Sequence, residues 1–430
     1  MENTMSIILR PASTRYVFGG PIGALALMLG LPIVVYWFAF GCSKVECSFM
    51  PSTIRAHWSG WRYLFDIEAG VYYFLWILIL IGLWFFLPGK RVKGLPLRDG
   101  SSLEYRMNGL MSMAVIFVGI ISIFLIDPKT GISGALWLCN HLIEITTAAL
   151  ITAIVLSVFV YAQSIICKNE QLTLEGNTGN LIYDFFLGRP LNPRVGSFDI
   201  KFFCELRPGL LLWCVINLGY AVKQYTIYGK IYDSMILVCV FQIFYVLTAL
   251  WDEKAVLSTM DIVTDGFGFM LAFGNLVWVP MTYTLQVRFL ATHPIELGAI
   301  NVVALICLHS IGYAIFHGAN KQKNTFRTNT NHPSVKHLAY IQTKNGAKLL
   351  TSGWWGRARH INYFGDWLMA LAWCLTCGFS SPVPYFYAMY FAILLVHRQK
   401  RDDEKCREKY GADWGRYTQL VRWRIIPYVY

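Results

Sequence analysis

Long runs of apolar residues, separated by shorter polar segments, recur along the whole chain. A helix that spans a bilayer needs about 20 mostly apolar residues, and ten stretches approach or meet that length. The ten candidate spans cover residues 21–41, 70–87, 109–126, 137–162, 208–222, 231–251, 266–287, 297–316, 366–379 and 383–396. The pattern therefore predicts an all-α polytopic membrane protein with about ten transmembrane helices.

The composition supports a membrane protein. Of the 430 residues, 56% are hydrophobic and only 14% are charged, whereas a soluble domain carries about 25% charged residues. Soluble and disordered classes are therefore excluded. The net charge of +12 does not indicate nucleic-acid binding, because the distribution of basic residues explains it.

The basic residues are strongly asymmetric about the ten candidate spans. Thirty of the 37 lysines and arginines lie in segments on the same side as both termini, and seven lie on the opposite side. Since cytoplasmic loops carry the excess of positive charge, we expect both termini to be cytoplasmic. The membrane is either a bacterial inner membrane or the endoplasmic reticulum.

The eleven cysteines do not predict a metal site or a disulfide framework. Most lie inside apolar runs, and the Cys374-x-x-Cys377 pair has no second pair nearby, so we interpret both as core residues. Cys42 and Cys47 flank a short loop, where a disulfide requires an oxidising compartment.

Polar residues inside the candidate spans have two interpretations. His141 and Glu144 lie three residues apart in the fourth span, and Gln242 and Tyr245 do so in the sixth. Polar groups at membrane depth often mark a cavity or pathway. The alternative is hydrogen bonding between helices.

The loop 317–365 suggests a binding site for an anionic aromatic ligand. It contains eight basic residues and no acidic one, together with Phe326, Trp354 and Trp355. Positive charge beside aromatic rings suits a nucleotide cofactor.

No dinucleotide fingerprint accompanies this loop. Gly266 and Gly268 approach the GxGxxG pattern, but no third glycine follows, and a fingerprint would open a helix after a strand. We therefore expect side chains at the membrane face to hold any cofactor.

Two long motifs resemble the sterol reductase family. The tail motif is His397-Arg398-x-x-Arg401-Asp402-x-x-x-Cys406-x-x-Lys409-Tyr410-Gly411. The upstream motif is Gly179-x-x-Ile182-Tyr183-Asp184-x-Phe186-x-Gly188-x-x-Leu191-Asn192-Pro193-Arg194. This family includes delta-14-sterol reductase, 7-dehydrocholesterol reductase and the lamin B receptor. We expect the tail to form a helix that ends at Gly411.

Within the family, the segment 258–274 is most similar to the delta-14-sterol reductases. Asn275 departs from the pattern, because the resemblance leads us to expect an aspartate there. We expect this position to support the site rather than to react. The motifs are also compatible with a bacterial member of the family.

The resemblance implies NADPH as the cofactor, in a cytoplasmic pocket near the C-terminus. The resemblance implies that the cofactor contacts are Lys323, Arg327, Leu350, Trp355, Asn362, Tyr363, Asp402, Cys406, Arg407, Glu408, Lys409, Tyr410 and Tyr417. Lys323 and Arg327 lie four residues apart and suit a phosphate, including the 2′-phosphate that distinguishes NADPH from NADH.

The implied reaction reduces the double bond between carbons 14 and 15 of a sterol. An isolated alkene does not accept hydride directly, so a proton must be added first, and an acid is needed in an apolar pocket. The candidate acids are Tyr245, Glu253, Asp261 and Asp265, of which we favour Tyr245.

We expect one multi-pass domain, with an N-terminal helical half at 1–250 and the pockets for NADPH and sterol in the half at 251–430. The expected partners are a membrane-borne sterol and the bilayer, with no nucleic acid and no obligatory protein. Three alternatives remain: another sterol double-bond specificity, an S-adenosylmethionine-dependent membrane methyltransferase, and a non-catalytic receptor.

Overall fold

The computed structural model describes residues 9–14, 16–42, 47–58, 60–167 and 170–430. Its α-helices are α1 (Gly20–Gly41), α2 (Pro51–His57), α3 (Ile67–Phe86), α4 (Gly109–Ile126), α5 (Pro128–Asn140), α6 (Leu142–Ile166), α7 (Leu181–Leu187), α8 (Ile200–Leu206), α9 (Pro208–Tyr228), α10 (Asp233–Trp251), α11 (Glu253–Val256), α12 (Met260–Val263), α13 (Phe269–Phe273), α14 (Val279–Thr282), α15 (Leu285–Leu290), α16 (Gly298–Thr328), α17 (Trp354–Arg357), α18 (Ile361–Leu375), α19 (Phe386–Tyr410) and α20 (Ala412–Leu420). Short 3₁₀ turns cover Trp61–Leu64 and Val383–Tyr385, and a π-helical turn covers Gly274–Trp278.

Three small antiparallel hairpins connect the helices. The strands are β1 (Lys90–Lys93), β2 (Glu104–Met107), β3 (Arg194–Val195), β4 (Phe198–Asp199), β5 (Tyr340–Gln342) and β6 (Lys348–Leu350). In register, Lys90 faces Met107, Arg194 faces Asp199 and Tyr340 faces Leu350.

The prediction of an all-α polytopic membrane protein is confirmed. Seven helical segments of the described residues are long and apolar enough to cross a bilayer: Gly20–Gly41, Trp61–Phe86, Gly109–Ile126, Leu142–Ile166, Ile200–Tyr228, Asp233–Trp251 and Gly298–Thr328. Many of their apolar side chains are exposed on the protein surface, as lipid-facing residues must be. The total of ten spans stays a prediction. The structure also joins Cys42 and Cys47 in a disulfide.

The predicted continuous helix at 137–162 is wrong. The chain leaves helical geometry at His141, where φ is −107° and ψ is 24°, so α5 and α6 are separate helices. The His141 ring stacks on Trp137 with centroids 4.4 Å apart, and its Nδ1 lies 2.9 Å from the Trp137 carbonyl oxygen. His141 therefore precedes the helix that contains Glu144 rather than sharing a regular face with it.

The predicted continuous helix at 266–287 is also wrong. The segment forms two short helices around the π turn and then α15. Pro280 explains the irregularity, since it has no backbone N–H to complete the preceding helical turn. Thr284 follows with its hydroxyl bonded to the Pro280 carbonyl oxygen at 3.0 Å.

The structure divides into two compact units. The first consists of Met1–Ile231 with Gln242–His293, and the second consists of Tyr232–Phe241 with Pro294–Tyr430. In the first unit, α9 is the most buried long helix, and Trp213 is completely buried on it.

In the second unit, α16 and α18 pack closely at a pair of glycines. A Cβ atom built on Gly365 would lie 2.6 Å from the Gly312 carbonyl oxygen, and one built on Gly312 would lie 2.7 Å from the Gly365 carbonyl oxygen. Only glycine permits this backbone separation, as in other closely packed membrane helices. This contact fixes the long helix that carries Lys323 beside the helix that carries Asn362.

Gly365→Ala should lower the unfolding temperature in detergent, because overpacking a tight contact costs about 1–3 kcal/mol. Gly119→Ala is the matched control, since no described atom outside the adjoining helix backbone lies within 4 Å of a Cβ at that helical glycine. Equal unfolding temperatures for the two variants would show that the α16–α18 contact is not tight.

Candidate active site

The residues expected to bind the cofactor all lie in the second unit, on six segments. Lys323 and Arg327 lie near the end of α16, Leu350 on β6, Trp355 on α17, Asn362 and Tyr363 at the start of α18, residues 402–410 on α19, and Tyr417 on α20. Leu350 and Trp355 belong to one buried cluster with Ala319 and Ile361. This cluster holds the hairpin β5–β6 and α17 against α16 and α18.

Lys323 and Trp355 form a cation–π pair. The Lys323 ammonium lies 4.1 Å from the centre of the Trp355 ring, and the indole N–H donates a hydrogen bond to the Ala319 carbonyl oxygen at 2.8 Å. The indole is therefore fixed while it orients the ammonium. Arg327 lies one turn further along α16 and is exposed.

The side chain of Asn362, in the same region, has an oxygen that could accept a further hydrogen bond. Its Nδ2 donates to the Asn320 side-chain oxygen at 3.2 Å. Its Oδ1 is buried and has no hydrogen-bond partner among the residues that the structure describes. Because burying an unpaired acceptor costs free energy, this atom is suited to a ligand that donates an N–H or O–H.

His360 lies beside these residues, and the sequence analysis did not identify it. Its Nε2 lies 3.5 Å from Asp402 Oδ2, and its ring stacks on Tyr363 with centroids 5.0 Å apart. Burial lowers the pKa of His360 to about 3, and the positive charges of Lys323 and Arg359 act in the same direction. The imidazole is therefore neutral at physiological pH. A single histidine outside any motif gave no signal in the sequence.

Two adjacent aspartates on α19 have different environments. Asp403 is mostly buried and lies within 4 Å of two arginines, Arg359 at 3.8 Å and Arg407 at 3.5 Å. Asp402 is more exposed and faces His360. The Asp403 carboxylate therefore forms ion pairs within the protein, whereas the Asp402 carboxylate is accessible to a ligand.

Cys406 and Tyr417 contribute packing and neutral polar groups. Both belong to the cluster around Trp414. Burial, followed by the charge of Asp402, raises the pKa of the Cys406 thiol to about 12, and burial also raises the pKa of Tyr417. Neither group ionises near neutral pH, so Cys406 is not an activated nucleophile.

The rest of the tail motif is more exposed than these residues. Arg407, Glu408 and Lys409 are exposed on α19, and Tyr410 is partly buried against Trp414. Arg407 pairs with Asp403, one helical turn away. The helix ends at Gly411, as predicted.

The four candidate acids lie in the first unit. Tyr245, on α10, is half-buried, and its ring lies 6.2 Å from that of Trp213. Gln242, one turn earlier, accepts hydrogen bonds from Trp213 at 3.0 Å and Asn217 at 2.8 Å and donates to Gln286 at 3.2 Å. Gln242 thus bonds neighbouring helical segments, which agrees with the hydrogen-bonding interpretation of that residue.

Glu253 has a set of structural partners. Its carboxylate lies 3.3 Å from Arg207, which is completely buried, and it accepts the backbone N–H groups of Gly109 and Leu110 at the start of α4. Burial raises the pKa of Glu253, and the positive charge of Arg207 opposes this increase. These contacts join three segments of the first unit.

Asp261 and Asp265 lie beside a buried lysine. Lys201 is inaccessible to solvent and donates to the backbone carbonyl oxygens of Ile262 at 3.0 Å and Asp265 at 2.8 Å. Both aspartates act electrostatically on this ammonium. Lys201 therefore fixes the backbone of the segment that carries them.

Two residues of the upstream motif, Asp184 and Gly188, make contacts that stabilise the fold. The Asp184 carboxylate accepts the backbone N–H groups of Thr178 and Gly179, each at 2.9 Å. Gly188 has a φ of 91°, and a Cβ atom there would lie 2.3 Å from the backbone nitrogen of Gly268. The glycines that approached a nucleotide fingerprint are thus needed for close backbone packing.

Asn275, the departure from the family pattern, contacts a carboxylate. Its Nδ2 donates to Glu205 Oε2 at 2.8 Å. An aspartate in its place would put two carboxylates together, and one of them would have to bind a proton. The amide removes that requirement.

The comparisons with known proteins agree over almost the entire chain. Residues 12–430 match the model of the ergosterol biosynthesis ERG4/ERG24 family. The chain is 51% identical over 420 residues to Delta(14)-sterol reductase of Schizosaccharomyces pombe, covering 97% of each chain. It is 44% identical over 440 residues to Delta(14)-sterol reductase of Saccharomyces cerevisiae, covering 98% of this chain and 99% of the relative. The resemblance inferred from the two motifs is confirmed.

Glu253→Gln should destabilise the protein, because Arg207 would remain buried without its opposing charge. Breaking a buried ion pair costs about 3–5 kcal/mol, so the unfolding temperature in detergent should fall markedly. Asp252→Asn removes the neighbouring exposed carboxylate and should have little effect. An unchanged unfolding temperature with lost turnover would instead favour an acid role for Glu253.

Proposed function

The chain belongs to the ERG4/ERG24 family of sterol reductases, and from that premise we propose that it reduces the C14=C15 double bond of a sterol intermediate, with NADPH as cofactor. The observation that carries the proposal is the near full-length similarity to relatives named Delta(14)-sterol reductase. Incubation of the purified protein with NADPH and a panel of sterol dienes, followed by product analysis, tests the specificity. Exclusive reduction of another double bond would contradict it.

The second unit has the groups that an NADPH site requires. Lys323 and Arg327 provide two positive charges one helical turn apart for phosphate, and the buried Trp355 indole holds the Lys323 ammonium in place. The buried Oδ1 of Asn362 can accept from a carboxamide or hydroxyl group. When bound, NADPH supplies the hydride. Asp402, with its greater exposure, can accept from ribose hydroxyls.

The protein must supply a proton as well. Protonation of C15 leaves a tertiary cation at C14, the more stable of the two alternatives, and an unpolarised alkene requires this step before reduction. We assign the proton to the hydroxyl of Tyr245, which α10 holds beside the Trp213 ring. Asp261, Asp265 and Glu253 remain alternatives, although the contacts of Glu253 favour a structural role.

The proposed location is the endoplasmic reticulum membrane, since the relatives named above are fungal proteins. The distribution of basic residues supports cytoplasmic termini. The sterol would enter from the bilayer, and we propose that the half at 251–430 contributes the NADPH pocket and a sterol-facing cavity.

Removing both charges with Lys323→Ala and Arg327→Ala should weaken NADPH binding much more than NADH binding. Each lost charge-assisted phosphate contact costs about 1.5–3 kcal/mol. Isothermal titration in detergent measures both affinities. Lys336→Ala removes an exposed charge in the segment between α16 and β5; it is the control and should bind NADPH normally. Wild-type NADPH affinity in the double variant would place the phosphate elsewhere.

Tyr245→Phe keeps the ring and removes only the hydroxyl, so it should fold and bind NADPH normally. Turnover should fall by about 10²-fold or more, the usual contribution of a general acid. Tyr225→Phe, which alters an exposed tyrosine on α9, should turn over at the wild-type rate. Near-normal turnover by Tyr245→Phe would move the assignment to Asp261 or Asp265.

A further inference from the structure

Two adjacent residues before α18 face two adjacent residues on α19. Arg359 Nε lies 3.8 Å from Asp403 Oδ1, and His360 Nε2 lies 3.5 Å from Asp402 Oδ2. Both side chains of the first pair are mostly buried. In the second pair, the side chain of His360 is 8% exposed and that of Asp402 is 34% exposed. The first contact therefore joins the two segments inside the protein, whereas the second extends to the surface at Asp402.

His360 is held in place by its backbone and by its ring. Its backbone N–H donates to the Arg424 carbonyl oxygen at 2.7 Å. The imidazole stacks on Tyr363 with ring centres 5.0 Å apart. The Asp402 side chain is much more exposed, and exposed side chains change rotamer readily. One partner of the contact is therefore fixed, and the other can take more than one orientation.

The fixed partner is electrically neutral. Burial lowers the pKa of His360 to about 3, and the positive charges of Lys323 and Arg359 act in the same direction. A neutral imidazole carries one ring proton, and a proton on Nε2 would point at the Asp402 carboxylate. A hydrogen bond from a neutral donor leaves the carboxylate its negative charge, so its second oxygen remains a strong acceptor.

The contact between His360 and Asp402 is longer than a hydrogen bond. An N–H···O bond measures about 2.7–3.2 Å, and His360 Nε2 has no hydrogen-bond partner among the described residues. Contacts of this kind often shorten when a ligand binds. A ligand that donates to Asp402 Oδ1 would hold the carboxylate in one orientation, with Oδ2 directed at His360.

We propose that His360 is a positioning residue for the cofactor, and that its Nε2–H orients the Asp402 carboxylate so that Oδ1 accepts a ribose hydroxyl of NADPH. This inference rests on the proposed function, since it assigns the partner that prepares Asp402 for the cofactor. His360 acts on binding and not on the reacting atoms. Its loss should therefore raise the KM for NADPH and leave kcat nearly unchanged.

Two amide substitutions at His360 test which ring nitrogen matters. His360→Gln places an amide N–H near the position of Nε2, so it should bind NADPH as the wild type does. His360→Asn places the amide nearer the position of Nδ1 and should raise the Kd and KM for NADPH about tenfold. His337→Asn alters an exposed histidine of the same unit and should match the wild type.

A double-mutant cycle tests whether His360 acts through Asp402. Asp402→Ala alone should weaken NADPH binding about tenfold, and adding His360→Asn should weaken it by less than about twofold more. Equal losses in the two backgrounds would show that His360 acts independently of Asp402 and would overturn the proposal. Wild-type NADPH affinity in His360→Asn would overturn it as well. If the wild type itself did not bind NADPH, the proposed function would fail together with this inference.

A cryo-electron microscopy structure of the wild type with NADPH covers the case in which the His360 variants do not fold. The distance from His360 Nε2 to Asp402 Oδ2 should shorten to about 3 Å, with Asp402 Oδ1 within hydrogen-bond distance of a ribose hydroxyl. An Asp402 carboxylate turned away from His360, or an imidazole in direct contact with the cofactor, would contradict the positioning role.

Discussion

The close approach of two helices at Gly312 and Gly365 determines the position of the candidate cofactor site. The α16 helix continues for four turns beyond Gly312 and carries Lys323, while α18 starts one turn before Gly365 with Asn362 in its first turn. Since the backbones nearly touch, neither helix can rotate without a clash. Lys323 on α16 and Asn362 on α18 are thereby held close to each other. The Oδ1 atom of Asn362 has no hydrogen-bond partner among the described residues, and Trp355 packs in the buried cluster beside both helices.

The first unit depends on a different constraint, the burial of positive charge. Lys201 and Arg288 donate to main-chain carbonyl oxygens, and Arg207 pairs with Glu253. Carbonyl oxygens that lack an intrahelical partner are found where helices end or break. The irregular segment at 257–290 provides such acceptors for Lys201, and the end of α1 provides them for Arg288, which offsets part of the cost of burying these cations.

Much of the architecture can be predicted from the sequence because membrane helices require long apolar runs. The helix Asp233–Trp251 and the tail helix that ends at Gly411 agree closely with the predicted boundaries. The break at His141 and the π turn before Pro280 were missed, since their surroundings are as apolar as a continuous helix. Lys323 and Trp355 were predicted to belong to one site, but their cation–π contact was not predicted. His360 lies in the same region because of tertiary packing, which no local sequence pattern indicates.

The most direct test of the account is reduction of a Δ8,14 sterol diene by the purified protein in deuterated water with unlabelled NADPH. Protonation by an exchangeable side-chain hydroxyl predicts one solvent deuterium at C15 and none at C14 in a product reduced only at the 14,15 bond. NADH should support much slower turnover, because it lacks the phosphate that Lys323 and Arg327 would bind. Solvent deuterium at C14, or equal rates with NADH, would contradict the account.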